Sequence, residues 1–160
     1  MTKAIFLDRD GVLNQELGDY VCSLKDFHIL DYNISFLQSL HKKGYIFIVI
    51  TNQGGIALNR FSKDILYNIH DFMRKEYLKY GIIFHEIYYC PHHPSISDCL
   101  CRKPKSLMLK KAINRFNIII EDSYMIGDRD TDVLAAENVG IKGIKVESNQ
   151  NLQSLIGIIK

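Results

Sequence analysis

The 160-residue sequence has no long apolar run: the longest, Tyr45–Ile50 (YIFIVI), falls far short of the ~18 residues a membrane span needs. It has no dense run of one charge sign either. Its 20 Lys+Arg and 18 Asp+Glu nearly cancel, to a net +2, and this gives no general case for nucleic-acid binding. No export signal opens it, because MTKAIFLDRD reaches two aspartates by residue 10. A 47% hydrophobic and 24% charged composition excludes disordered and collagen-like classes. These absences describe a small soluble cytoplasmic protein with neither membrane nor nucleic acid as partner. The length suits one domain, residues 1–160, and a chain of this size buries roughly 68–70% of its unfolded surface.

Cysteine is scarce but not scattered. Of Cys22, Cys90, Cys99 and Cys101, three fall in YYCPHHPSISDCLCRKP. Two disulfides would need an oxidising compartment, and Cys99 and Cys101 are too close for an easy mutual bridge. In a reduced compartment C-x-H…C-x-C supplies three thiolates and one imidazole, a closed set of the structural zinc type. Cys90, His92, Cys99 and Cys101 are the expected Zn²⁺ ligands; the alternative is a loop of unligated thiols. Cys22 is left over as a small hydrophobe or half-exposed thiol.

The apolar pattern alternates between short runs and helical periods. Lys3–Leu7, Tyr45–Ile50, Glu86–Tyr89, Ser123–Ile126 and, more weakly, Gly143–Val146 are continuous runs, as parallel strands buried on both faces would be. Between them, Ile34/Leu37/Leu40 precede a cationic turn and Gly44. Ile65/Ile69/Phe72/Met73/Tyr77 follow Ser62 as N-cap, and Leu109/Ala112/Ile113/Phe116 repeat the helical signal. Thr131–Asn138 and Leu152–Ile159 read as two further helices. The order predicts an α/β fold with a central parallel sheet. In such a sheet ligands bind beyond the C-terminal strand ends, where Asp8 and Asp10, Thr51 and Asn52, Cys90 and Asp128 fall.

That convergence suggests phosphoryl chemistry. Asp8 can attack phosphorus to form an aspartyl-phosphate, while Asp10 protonates the leaving alkoxide and then deprotonates the attacking water. Mg²⁺ prefers oxygen ligands, one or two carboxylates among them, and Asp8, the Asp10 backbone carbonyl and Asp128 supply such a set. Asp132, one helical turn on, would hold a metal-bound water or orient Lys103; its blander role is to cap a helix N-terminus. Thr51, through its hydroxyl, Asn52, through its backbone N–H, and Lys103 would surround the phosphoryl group.

The motifs D-R-D-G-V-L-N (Asp8–Asn14), I-T-N-Q (Ile50–Gln53), R-K-P (Arg102–Pro104) and G-D-R-D-T-D (Gly127–Asp132) resemble, in order, those of haloacid-dehalogenase (HAD)-type phosphatases. C-P-H-H-P…C-x-C-R-K-P is similar to the zinc-containing subgroup, which holds heptose-bisphosphate and histidinol-phosphate phosphatases. The resemblance implies a three-layer Rossmann-like fold with sheet order 5-4-1-2-3. It also implies Asp8 as nucleophile, Asp10 as acid/base, and Thr51 and Lys103 on the phosphoryl group. Mg²⁺ would sit on Asp8, Asp10 and Asp128, beside a structural zinc. Arg102 is the implied substrate contact.

Within the subgroup the features divide. The stretch around Gly18–Val21, T-N-Q-G-G-I-A and I-Y-Y-C-P-H-H-P resemble the heptose enzymes, although Asp19 interrupts the Gly-Tyr pair. G-D-R-D-T-D-V-L-A-A-E-N-V-G-I and the short zinc loop resemble the histidinol type. Arg60, Arg102 and Arg129 are candidate cations for a second phosphate, with Arg129 taken as substrate-binding; Glu16 and Asp19 are candidate acids for an amine. The substrate-facing loops favour a heptose 1,7-bisphosphate of nucleotide-activated heptose synthesis, losing its 7-phosphate; histidinol phosphate is the alternative. No large cap domain fits, so specificity falls to the loops after the first two strands and to the zinc loop. The expected partner is a small phosphorylated metabolite, and the open sheet suits a monomer.

Overall fold

The computed structural model describes residues Met1–Lys160. Its sheet consists of β1 (Ala4–Leu7), β2 (Ile46–Asn52), β3 (Phe84–Cys90), β4 (Tyr124–Gly127) and β5 (Lys142–Lys145). The strands are all parallel, in the order β3-β2-β1-β4-β5. This is the expected order read from the opposite edge. The helices are α1 (Ile34–Lys42), α2 (Lys63–Leu78), α3 (Leu107–Phe116) and α4 (Asp130–Glu137).

Alternation along the central strand builds the layers. Ile5 and Leu7 join a core with Phe36, Leu37 and Leu40 of α1 and Ile69, Met73 and Tyr77 of α2. Ala4 and Phe6 point the other way, into a core with Met108, Leu109 and Ala112 of α3 and Ala135 and Ala136 of α4. Successive strand side chains face opposite sides, so one short apolar strand serves both cores and carries Asp8 out at its end. No helix is long and apolar enough to cross a membrane.

Three local expectations need correction. β3 and β5, at the edges of the expected order, are not buried on both faces, and Lys142 and Lys145 of β5 are exposed, because an edge strand lacks a neighbour and the last crossover covers only part of it. The apolar stripe of α2 is turned slightly: Leu66 and His70 are buried, whereas Ile65 and Phe72 are only partly so. Ser62 caps α2 as expected, accepting from Ile65 N–H at 3.2 Å. The terminal helix expected over Leu152–Ile159 is a 3-10 turn, Leu152–Leu155. Such a short segment is marginal as an α-helix. Here the burial of Leu152, Leu155 and Ile159, and bonds from Tyr45 Oη and Lys43 Nζ to the last carbonyls, hold the tail instead.

Candidate active site and metal centre

The ends of β1, β2 and β4 and the loop before α3 bound a cavity of about 960 Å³ that Asp8, Asp10, Asn52, Arg102, Lys103, Arg129 and Asp132 all line. At its floor Lys103, 3% exposed, reaches Asp8 Oδ1 at 2.9 Å, Asp132 Oδ1 at 2.5 Å and the Ile50 carbonyl at 2.7 Å. Burial works against the ammonium, but the two carboxylates outweigh it and keep Lys103 charged. Burial also pushes the Asp8 carboxyl up to about 7; Lys103 opposes that rise, while Asp132 and Asp10 add to it.

Asp8, Asp128 and Asp132 each offer an oxygen within a group whose members all lie within 4.8 Å of one another. Asp132 is already committed, to Lys103 through Oδ1 and to the Arg129 N–H through Oδ2 at 3.0 Å. Asp128 is only half committed: its Oδ2 accepts from Ser148 Oγ, but its Oδ1 is buried without a hydrogen-bond partner, and burial raises its carboxyl. The Asp8 carboxylate binds the Arg9 N–H and Lys103 through Oδ1 alone, leaving Oδ2 free. A buried orphan oxygen beside a second uncommitted carboxylate oxygen fits a hard cation such as Mg²⁺. Two glycines make this approach possible. A Cβ on Gly11, whose φ is +82°, would lie 2.3 Å from Asp128 Oδ2, and one on Gly127 would lie 2.2 Å from Asp132 Oδ2.

Asp10 is turned away from that group. Its carboxylate accepts from Arg9 Nη2 at 2.9 and 3.0 Å, from Arg9 Nε at 3.2 Å, and from Asn14 Nδ2 and Gln53 Nε2 at 2.9 Å each. Burial would raise this carboxyl, but Arg9, Asn14 and Gln53 together hold it below the usual range. Only the Asp10 backbone carbonyl, not its side chain, remains as a potential metal ligand. Arg9 is wholly buried and donates through Nη1 to His70 Nε2 at 3.3 Å. Thr51 Oγ1 accepts from Gln53 Nε2 at 2.9 Å. The side chain of Asn52 brackets the Lys103 peptide, accepting from its N–H at 3.0 Å and donating to its carbonyl at 3.1 Å. At the mouth, Arg102 Nη1 donates to the His92 carbonyl at 3.2 Å, and exposed Arg129 pairs with Glu16 at 3.3 Å.

The second cluster lies where β3 runs out. Cys90 Sγ is 3.6 Å from His92 Nδ1, 3.7 Å from Cys99 Sγ and 3.1 Å from Cys101 Sγ, and His92 Nδ1 is 3.3 Å from Cys101 Sγ. Metal–sulfur bonds of ~2.3 Å in a tetrahedron put sulfurs ~3.7 Å apart, so the donor set fits a zinc ion with His92 binding through Nδ1. Cys22 stands apart, its Sγ donating to the Tyr20 carbonyl at 3.4 Å.

Several residues that shape the site carry no role from sequence alone. Arg9, Asn14 and Gln53 sit inside the matched motifs, but nothing local says that Arg9 is buried. His70 gave one signal, a polar residue amid the apolar stripe of α2. Ser148, which donates to Asp128 Oδ2, and Asn149, which binds the Glu16 backbone, lie in no motif.

Fold and site together define a HAD-type hydrolase, and the HAD-hydrolase-like family model matches residues 100–156. The D-glycero-beta-D-manno-heptose-1,7-bisphosphate 7-phosphatase of Pasteurella multocida is 43% identical over 147 residues, covering 89% of this chain and 79% of that protein. The bifunctional histidine-biosynthesis protein HisB of Legionella pneumophila is 34% identical over 160 residues, but the match spans only 45% of its length. Among solved structures, the D,D-heptose 1,7-bisphosphate phosphatase of B. bronchiseptica, complexed with magnesium and phosphate, superposes with a TM-score of 0.86 at 29% identity, over 98% of this chain and 87% of that one. The chain belongs to the HAD-type phosphatase family that these heptose-bisphosphate phosphatases represent.

Proposed function

We propose that the chain is a Mg²⁺-dependent phosphatase that removes the 7-phosphate of D-glycero-D-manno-heptose 1,7-bisphosphate through an aspartyl-phosphate. The observation that carries this reading is the buried group at the ends of β1 and β4, in which Lys103 bridges Asp8 and Asp132 beside the unpartnered Asp128 oxygen. Asp8 is the nucleophile: one carboxylate oxygen forms a bond to phosphorus as the bond to the sugar oxygen breaks. Asp10 gives the leaving alkoxide its proton, then takes one from the water that cleaves the acyl phosphate and regenerates Asp8. The donors around Asp10 favour its carboxylate, so its protonated form is a strong acid and its ionised form is ready for that water. Lys103, with Thr51 and the Asn52 backbone N–H, takes up charge on the phosphoryl oxygens. Mg²⁺, held by Asp8, the Asp10 carbonyl and Asp128, would neutralise the phosphoryl group facing three carboxylates.

Zinc on Cys90, His92, Cys99 and Cys101 is structural, because all four positions of a tetrahedron are filled by protein. It anchors Arg102 and Lys103, the next two residues. Arg102 has no carboxylate partner, whereas Arg129 is paired with Glu16 and Lys105 with Asp98. A cation at the mouth with no carboxylate beside it supports an anionic second group over the ammonium of histidinol phosphate. The substrate is a small phosphorylated metabolite, as the names of the heptose-bisphosphate phosphatases that the chain resembles imply. The test is kcat/KM on both anomers of the heptose bisphosphate and on histidinol phosphate, with Asp8→Asn as control. A heptose preference of at least ~10-fold and an inert control are expected; a preference for histidinol phosphate would reverse the assignment.

A further inference from the structure

The loop that follows β5 lies outside all four motifs, yet it reaches the site. Ser148 Oγ donates to Asp128 Oδ2 at 2.5 Å, on the carboxylate whose other oxygen, Oδ1, is buried and unpartnered. The hydroxyl is held in place by its neighbours. Asn149 takes a left-handed φ of +64° and bonds through its N–H to the Gly11 carbonyl at 2.8 Å. Its Oδ1 accepts from the Glu16 N–H at 2.7 Å, and its carbonyl accepts from Tyr32 Oη at 2.5 Å. The loop also closes on itself: Glu147 N–H donates to Gln150 Oε1 at 2.8 Å, and Gln150 N–H to the Glu147 carbonyl at 3.0 Å. Asn33 ties down its far end by accepting from Leu152 N–H at 2.9 Å and donating to the Gln150 carbonyl at 3.1 Å.

We propose that Ser148 is a positioning residue for the metal carboxylate: by occupying Asp128 Oδ2 it turns Oδ1, and only Oδ1, toward the cation. The two oxygens of an aspartate are equivalent until a neighbour distinguishes them, and the terminal torsion of the side chain is broad and two-fold. A carboxylate free about that torsion must be ordered when it binds Mg²⁺; one already bonded to a fixed hydroxyl has little freedom left to lose. Partners of this kind, one bond behind a metal ligand, typically contribute 10–100-fold in metal affinity. The inference rests on the reading that Asp128 binds Mg²⁺, and it extends the metal centre to a loop with no catalytic motif.

The test is calorimetric titration of the zinc-loaded, Mg²⁺-free protein with MgCl₂ alone, for wild type, Ser148→Ala, Ser148→Thr and Asp128→Asn, together with thermal unfolding in Mg²⁺-free buffer. Ser148→Ala is expected to weaken Mg²⁺ binding ~10-fold or more with an unchanged melting midpoint, while Ser148→Thr, which keeps the hydroxyl, retains affinity. Wild-type affinity in Ser148→Ala, with binding lost in Asp128→Asn, would overturn the proposal and leave the metal assignment standing. A lowered midpoint accompanying the lost affinity would also count against it, since the hydroxyl would then serve the loop and not the metal. Undiminished binding by Asp128→Asn would instead remove the metal assignment itself.

Discussion

Lys103 is the residue on which both the stability of the floor and its chemistry turn. It alone compensates Asp8 and Asp132, two carboxylates with 9% and 0% side-chain exposure. Replacing it with Met leaves them facing each other in a low-dielectric pocket, where loss of one partner of a buried pair costs ~3–5 kcal/mol. Urea unfolding of Lys103→Met without Mg²⁺ should show a loss of this order, and added Mg²⁺ should return part of it, because a cation bound by Asp8 supplies the missing charge. kcat/KM should fall ~10²–10³-fold, the usual cost of removing one preorganised charge from a developing oxyanion. A variant as stable as wild type and still active would refute this account of the floor. The position of Lys103 was legible because R-K-P falls within a recognisable set of motifs; its burial was not. The same holds for Arg9, which reads as a loop charge in D-R-D-G and is instead a wholly buried fork on Asp10. Whether a charged residue is inside depends on what later packs over it, here α2 with His70.

At the scale of elements, the strands and helices announced themselves where burial follows a simple period. Strand β1 and helix α3 did so clearly; edge strand β5 and the C-terminal 3-10 turn did not. Their apolar residues pack against elements distant in sequence, so neither period nor length marks them. The zinc loop is the opposite case, a segment with no periodicity whose donor chemistry alone revealed it. It connects β3, which ends at Cys90, to α3, which begins at Leu107, and its last ligand lies two residues before Lys103. Removing the zinc should therefore unmoor Lys103 and Arg102 while both packed cores persist. Chelation, or Cys101→Ser, is expected to lower activity ~10²-fold even in saturating Mg²⁺, since a displacement of ~1 Å at a positioning group costs that much. Zinc should restore the chelated enzyme and Mg²⁺ should not. Full activity in a zinc-free chain, checked by metal analysis, would show that the loop holds its shape without the ion.

For the whole molecule, the site exists because a parallel sheet gathers the ends of separate strands, and the groups gathered there are bound to the packing behind them. Asp10 is bonded to Arg9, Arg9 to His70, and His70 sits in α2 with its ring edge-on to Tyr89 of β3 at 6.2 Å. The charged groups facing His70 are Arg9 and Asp10 from the first loop and Arg74 from its own helix. Burial, with Arg9 and Arg74 added, lowers the imidazole from 6.5 to about 3, Asp10 opposing. The folded protein therefore keeps this ring neutral where the unfolded chain protonates it, so the stability it carries is complete above pH 6.5 and is lost as the pH falls from there toward 3. At ~1.36 kcal/mol per unit, about 2 kcal/mol is lost between pH 6.5 and pH 5 through this one ring. His70→Gln has nothing to protonate there. Its unfolding free energy, measured in urea at both pH values, should fall by about 2 kcal/mol less than that of wild type. If the two proteins lose stability in parallel, His70 must already titrate alike in folded and unfolded chains. The acid sensitivity would then belong to other groups, and the Arg9–His70 contact would not be what keeps Arg9 turned toward Asp10.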